Sequence, residues 1–254
     1  MDKKKPKVIT IASIKGGVGK SVMAIVFSYI LEDMNKKVLL IDLDPQNSIT
    51  SYFIKYINNI EEFNVYSLLK EEYDYNFDKY LSVINHNMYL IASHPMLGNF
   101  EQESIEYKEL LLEFCLKENL ANYDFDYVII DTAPNSKVLL YNALNITDIL
   151  VVPIETERWS VETFPQILKS VKKTEIIKNR KIEIAIIKNK FIKNRNTLRD
   201  IEVLLNENYR DLVKGKVHFS NGVRVFINEL LVPDKSEKYY KEIKDALNNI
   251  ITYK

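Results

Sequence analysis

The sequence predicts an α/β fold, a doubly wound and mainly parallel sheet with helices on both faces, and two observations carry that prediction. Short runs rich in β-branched and aliphatic residues recur along the chain, and segments with helical spacing of apolar residues separate them. The runs are apolar nearly throughout rather than at alternate positions, as strands covered on both faces require. Right-handed crossovers follow, and ligands are expected at the carboxyl ends of the strands.

In chain order, strands are expected at 8–13, 38–42, 88–92, 127–131, 149–153, 182–188 and 217–219. Helices are expected at 20–34, 48–57, 104–121, 137–144, 161–178, 198–208 and 237–251. The first helix is apolar on nearly all sides (Val22, Met23, Ile25, Val26, Phe27, Ile30, Leu31) and should lie deep in the fold. The second cannot begin directly after the strand, because Pro45 keeps the residue before it extended. Residues 58–87 are acidic, tyrosine-rich and poor in pattern, which reads as short helices and loops. The last helix repeats Tyr240, Ile243, Leu247, Ile250 and Ile251 at helical spacing.

A chain of 254 residues fits one large α/β domain over 1–254, with ample length to bury a core. Its 46% apolar and 28% charged residues argue against a disordered or fibrous chain. The lone Cys115 excludes an internal disulfide and a paired-cysteine metal cluster, so a reducing cytoplasm is the expected compartment. The basic start runs into too short an apolar stretch for a signal peptide, and no run is long enough to span a membrane. The net charge of zero hides an asymmetry: residues 169–224 hold 15 basic and 6 acidic side chains, a basic region in a balanced chain. That region reads either as solvated helix faces or as a surface for a polyanion.

Between the first strand and the first helix stands Lys15-Gly16-Gly17-Val18-Gly19-Lys20-Ser21. Glycines adopt backbone angles closed to other residues, so successive N–H groups can turn toward one anion while the helix start adds its positive end. Such a loop is a phosphate cradle, with Lys20 reaching the β- and γ-phosphates and the Ser21 hydroxyl a Mg²⁺ ion. The ordinary P-loop places a glycine five residues before Gly19, where this chain has Ile14. It carries Lys15 instead, more positive charge than one triphosphate needs from its own subunit.

Two further stretches belong at the same sheet edge. Val38-Leu39-Leu40-Ile41-Asp42-Leu43-Asp44 ends a buried strand in two carboxylates, which project the same way only if the strand continues to Asp44. Tyr127-Val128-Ile129-Ile130-Asp131 closes another strand with a single acid. Carboxylates beside a lysine-rich phosphate loop can hold Mg²⁺ through water and orient a nucleophilic water.

In these stretches, and in ITDILVVPIETE at 146–157, the chain resembles the ParA family of the ParA/MinD superfamily, P-loop NTPases with a deviant Walker A loop. The resemblance covers most of the chain and implies roles position by position. Lys15 would cross a dimer interface to the partner's phosphates, Lys20 would bind phosphate, and Asp44 would orient the attacking water. Gly16, Gly17, Val18, Gly19, Lys20, Ser21 and Val22 would line the ATP site, with Ser21, Asp42 and Asp131 near Mg²⁺. Asn189 is the candidate for the base, although an asparagine there also suits a strand-ending turn. Two positions depart from the family pattern: Val22 replaces a frequent threonine, and Asn135 a frequent serine.

By the same resemblance the ATP state is a sandwich homodimer that holds double-stranded DNA without sequence preference on the nucleoid. Hydrolysis would be slow until a ParB-like partner stimulates it. Arg195 and Arg224, with Lys193 and Arg199 behind them, stand where relatives keep DNA-contacting residues. The alternative, a MinD-like membrane-associated ATPase that places the division site, needs a basic amphipathic final helix, and Glu237, Glu242 and Asp245 dilute that face. No stable membrane association is therefore expected. An iron–sulfur carrier ATPase of the superfamily would need paired cysteines, which one Cys115 does not supply.

Overall fold

The computed structural model describes residues 5–70, 76–134, 137–155, 158–191, 203, 205 and 207–252. The strands are β1 (Lys7–Ile11), β2 (Val38–Leu43), β3 (Ser82–Val83), β4 (Met88–Ile91), β5 (Tyr127–Thr132), β6 (Ile149–Glu155), β7 (Glu183–Phe191) and β8 (Val213–His218). They form one sheet in the order β3-β4-β2-β5-β1-β6-β7-β8, parallel throughout except for the short antiparallel edge strand β3. Around it lie α1 (Lys20–Asp33), α2 (Ser48–Tyr52), α3 (Val65–Lys70), α4 (Leu111–Leu120), α5 (Lys137–Leu144), α6 (Arg158–Lys178), α7 (Asn221–Asn228) and α8 (Lys238–Ile251). The expected doubly wound, mainly parallel architecture is present.

Side-chain alternation along each strand divides the core. Ile9 and Ile11 of β1, Leu40 of β2, Ile129 of β5 and Val151 of β6 pack with α1 and α8. Val8, Leu39, Ile41, Val128 and Ile130 point the other way, with α3, α4 and α5, and Leu150 and Val152 pack with α6. In α1, Met23, Ala24, Ile25, Val26, Phe27, Ile30 and Leu31 are at most 1% exposed, so the helix leaving the glycine loop is held rigidly. Burying each large apolar side chain of this kind contributes about 1.5–3 kcal/mol.

Several boundaries differ from the sequence reading, each for a local reason. The helix expected at 104–121 begins only at Leu111, because Tyr107 takes a left-handed φ of 53° that no helix can run through. The one expected at 48–57 stops at Tyr52 and continues as a 3₁₀ turn, Ile54–Tyr56. The strand expected at 217–219 starts earlier, at Val213, and its Gly215 lets α8 approach so closely that a Cβ would lie 2.4 Å from that of Ala246. Helix α7 was not expected; Ser220 caps it by accepting from the Gly222 N–H. Most of the helix expected at 198–208 lies outside the described residues. Among the described residues no helix is long and apolar enough to cross a membrane.

Candidate functional site

The loop from β1 into α1 sits at the carboxyl edge of the sheet's central strand, flanked by β5 and β6. Gly17 and Gly19 have φ of 77° and 89°, the left-handed region that favours glycine, and around Gly16 and Gly17 an added Cβ would meet nothing within 4 Å. That open side is the cradle. Gly19 is the N-terminal cap of α1 and offers no side-chain cap, which leaves the first backbone N–H groups facing outward for an anion. Val18 is fully buried, Ser21 and Val22 are half-buried, and Lys20 is only 6% exposed.

A buried ammonium is held in place by charge. Burial lowers the Lys20 pKa, and Asp131 and Asp44 oppose that shift. Asp42 and Asp131 are register partners on β2 and β5, and both are fully buried. Their situations differ. Asp42 Oδ2 accepts from the Thr50 backbone N–H at 2.9 Å and the Thr50 hydroxyl at 2.8 Å, and Oδ1 accepts from the Asp44 N–H at 3.3 Å. Neither oxygen of Asp131 meets a donor in good hydrogen-bond geometry, and the Ser21 hydroxyl is the donor beside it. Burial pushes the Asp42 carboxyl up to about 6 against the pull of the Thr50 donors. Burial, then the neighbouring Asp42, raises Asp131 well above the usual carboxylate range, and the nearby Ser21 hydroxyl and Lys20 offset this only in part. Asp44 lies just past the end of β2, is 6% exposed, and accepts from the Gln46 N–H through Oδ1 at 2.9 Å.

A second layer reaches the loop from β7. The Asn189 amide donates to the Val18 carbonyl at 2.7 Å and packs so tightly on Gly19 that a Cβ there would meet its nitrogen at 2.4 Å. Lys190 donates to the Gly17 carbonyl. Lys15 Nζ lies 3.7 Å from Glu155 Oε2, and its side chain is 28% exposed where Lys20 is buried.

Residues 6–184 match a family described as an AAA domain. A protein of Borrelia burgdorferi B31 assigned to plasmid partition and crystallised with AMPPNP is 38% identical, with a TM-score of 0.88 over 97% of this chain and 99% of that one. The sporulation initiation inhibitor protein Soj of Bacillus subtilis strain 168 is 32% identical over 168 residues. That match spans 65% of each protein, just under two thirds of Soj. The chain belongs to the ParA family. The chromosome partitioning protein ParA of Caulobacter vibrioides is 28% identical over 196 residues, 76% of this chain and 73% of that protein.

Within this ParA-family chain Gly16, Gly17, Gly19, Lys20, Ser21, Asp42, Asp44 and Asp131 lie at one edge of the sheet. Asn189 also reaches the loop, but as a brace on its backbone. Asp42 stands beside Asp131 with its oxygens engaged by Thr50 and Asp44, which ties α2 to the end of β2. Arg224 is exposed on α7 with its guanidinium 5.8 Å from the Phe219 ring, while Lys193, Arg195, Arg199 and Asn135 lie outside the described residues.

Sequence reasoning missed Thr50 and Ser93. The Thr50 hydroxyl donates to Asp42 and accepts from the Ser93 N–H at 2.7 Å, and the Ser93 hydroxyl donates to the Asp44 carbonyl at 2.8 Å. Both residues are buried, so this chain of bonds fixes the two acids relative to α2 and β4. No motif announces it, because a threonine eight positions after an aspartate has no spacing rule. Thr50→Val keeps the shape and leaves two buried groups short of a partner, at a cost of about 1–3 kcal/mol. A thermal melt of the variant should fall by roughly 2–10 °C. An unchanged midpoint would show that the bonds do not hold the acids.

Proposed function

We propose that the chain is a DNA-partitioning ATPase, acting in plasmid or chromosome segregation. ATP binding forms a sandwich homodimer that binds double-stranded DNA without sequence preference, and hydrolysis is slow until a ParB-like centromere-binding protein stimulates it. The observation that carries this reading is the division of labour between two lysines of one loop. Lys20 is buried against Asp131 and Asp44, whereas Lys15 is 28% exposed beside Glu155. The family membership and the AMPPNP-bound Borrelia relative support it.

The chain's own groups account for most of the chemistry. The N–H groups from Gly16 to Ser21 wrap the phosphates, and Lys20 opposes charge on the β- and γ-phosphate oxygens in surroundings that exclude water. Asp44, with Oδ1 fixed by the Gln46 N–H, orients the attacking water. Lys15 of the partner protomer supplies further positive charge to the phosphates, so hydrolysis requires pairing.

The site also suits Mg²⁺. Asp131 presents two buried oxygens that no donor meets in good geometry, with the Ser21 hydroxyl beside them. Ser21 and Asp131 would hold the ion, with Asp42 behind, and bound there it would neutralise charge between the phosphates.

The single domain over 1–254 and the cytoplasmic, nucleoid-associated location belong to the same proposal. The MinD-like alternative is disfavoured by α8, whose Tyr240, Ile243, Leu247 and Ile250 are buried in the core rather than available to a membrane. DNA contact rests on the exposed Arg224, with Lys193, Arg195 and Arg199. The test is co-sedimentation of the ATP-loaded protein with duplexes of unrelated sequence over a range of salt. Arg224→Glu should weaken binding to every duplex by a similar factor and reduce the salt slope by about 1 per protomer. Sequence-selective loss, or no loss, would place the DNA surface elsewhere.

A further inference from the structure

We propose that Glu155 is a latch that keeps Lys15 on its own protomer, and that Lys190 sets how firmly the latch holds, so that this cluster regulates ATP-dependent pairing. The inference rests on the reading of Lys15 as the lysine that crosses to a partner. Glu155 is the last residue of β6 and its side chain is 14% exposed. Its two oxygens serve two ammonium groups: Oε2 lies 3.7 Å from Lys15 Nζ and Oε1 lies 2.6 Å from Lys190 Nζ.

Lys190 reaches this position by an unusual backbone. In an extended strand, Asn189 and Lys190 would point to opposite faces. Lys190 instead has a left-handed φ of 51°, in a stretch where the β7–β8 register shifts between Lys188 and Phe191. Both side chains therefore meet the phosphate loop, Asn189 on the Val18 carbonyl and Lys190 on the Gly17 carbonyl. A lysine adopts such a conformation at a cost, so the surrounding structure maintains the contact.

To cross to a partner, Lys15 must leave Glu155. The carboxylate is not abandoned, because Lys190 remains on it. Without Lys190, Glu155 would have one fewer cation to share and would hold Lys15 harder. The two substitutions therefore act in opposite directions: Glu155→Gln loosens the hold on Lys15 and favours pairing, while Lys190→Met strengthens it and opposes pairing. A merely structural cluster would weaken pairing in both variants. A partly exposed ion pair shifts an equilibrium roughly two- to five-fold. Two latches open per dimer, so Glu155→Gln should tighten the ATP-dependent dimer roughly four- to twenty-five-fold.

The experiment has two readouts. In the nucleotide-free chain, limiting acetic anhydride labels lysine amines, and mass spectrometry compares Lys15 with the exposed Lys181. Relative to wild type, Lys15 should label faster in Glu155→Gln and slower in Lys190→Met; equal rates in all three overturn the latch. Sedimentation equilibrium with ATP should then show tighter dimers for Glu155→Gln and weaker ones for Lys190→Met. Dimers weakened in both variants overturn the regulatory role. A wild-type chain that labels as expected but stays monomeric with ATP overturns the pairing reading itself, and the regulatory role with it.

Discussion

Lys20→Ala should abolish ATP hydrolysis. Lys20 is a cation at 6% exposure, and its pKa is lowered by burial and supported by Asp131 and Asp44. A charge in such surroundings acts on phosphate far more strongly than the same charge in water. Removing one preorganised hydrogen-bond donor from an enzyme site typically costs about 10²–10³ in rate, and here both a donor and a full charge are lost. The variant should still fold, because Asp131 is already raised toward its neutral form and can take up a proton in place of its lost counter-ion. Phosphate release, with circular dichroism as the control for folding, decides the matter. Wild-type turnover in a folded Lys20→Ala protein would contradict the site assignment.

Lys15→Ala should spare ATP affinity in the monomer and prevent stable dimers. The same loop carries both lysines, yet they stand in different places. Lys15 lies 3.7 Å from Glu155 with its side chain 28% exposed, while Lys20 is buried beside Asp131 and Asp44. The backbone cradle and Lys20 remain in the variant, so nucleotide binding to one chain should change little. What disappears is charge offered to the other chain's phosphates, an interaction that exists only in the pair. Light scattering with ATP should report monomers at concentrations where the wild type forms dimers. ATP affinity lost in step with dimerisation would return Lys15 to its own protomer's site.

The central site was legible because its parts are contiguous in sequence. A glycine loop between a β-branched run and an apolar helix, and two strands ending in acids, place themselves at one edge of a parallel sheet by rules of strand direction alone. Asp42 and Asp131 become register partners for that reason, although 89 residues separate them in the chain. What the sequence hid depends on tertiary contact or local backbone. Thr50 and Ser93 join the acids through bonds across α2 and β4, and neither has a motif. The place of Asn189 at a strand end is visible in the sequence, while its donation to the Val18 carbonyl is not. Lys190 turns toward the loop only through its positive φ, which no residue pattern announces for a lysine. Among the helices, α4 is shorter than its apolar spacing suggests because Tyr107 breaks it, and α7 was overlooked because Ser220-Asn221-Gly222 reads equally as a turn.

Pairing of two protomers around ATP is the claim from which the rest follows, and sedimentation velocity tests it most directly. The wild-type chain and Lys15→Ala would each be run with ATP, with ADP and without nucleotide. The account predicts a dimer for the wild type with ATP alone, and monomers in every other sample. A wild type that stays monomeric with ATP, or a Lys15→Ala protein that dimerises as well as the wild type, would contradict it.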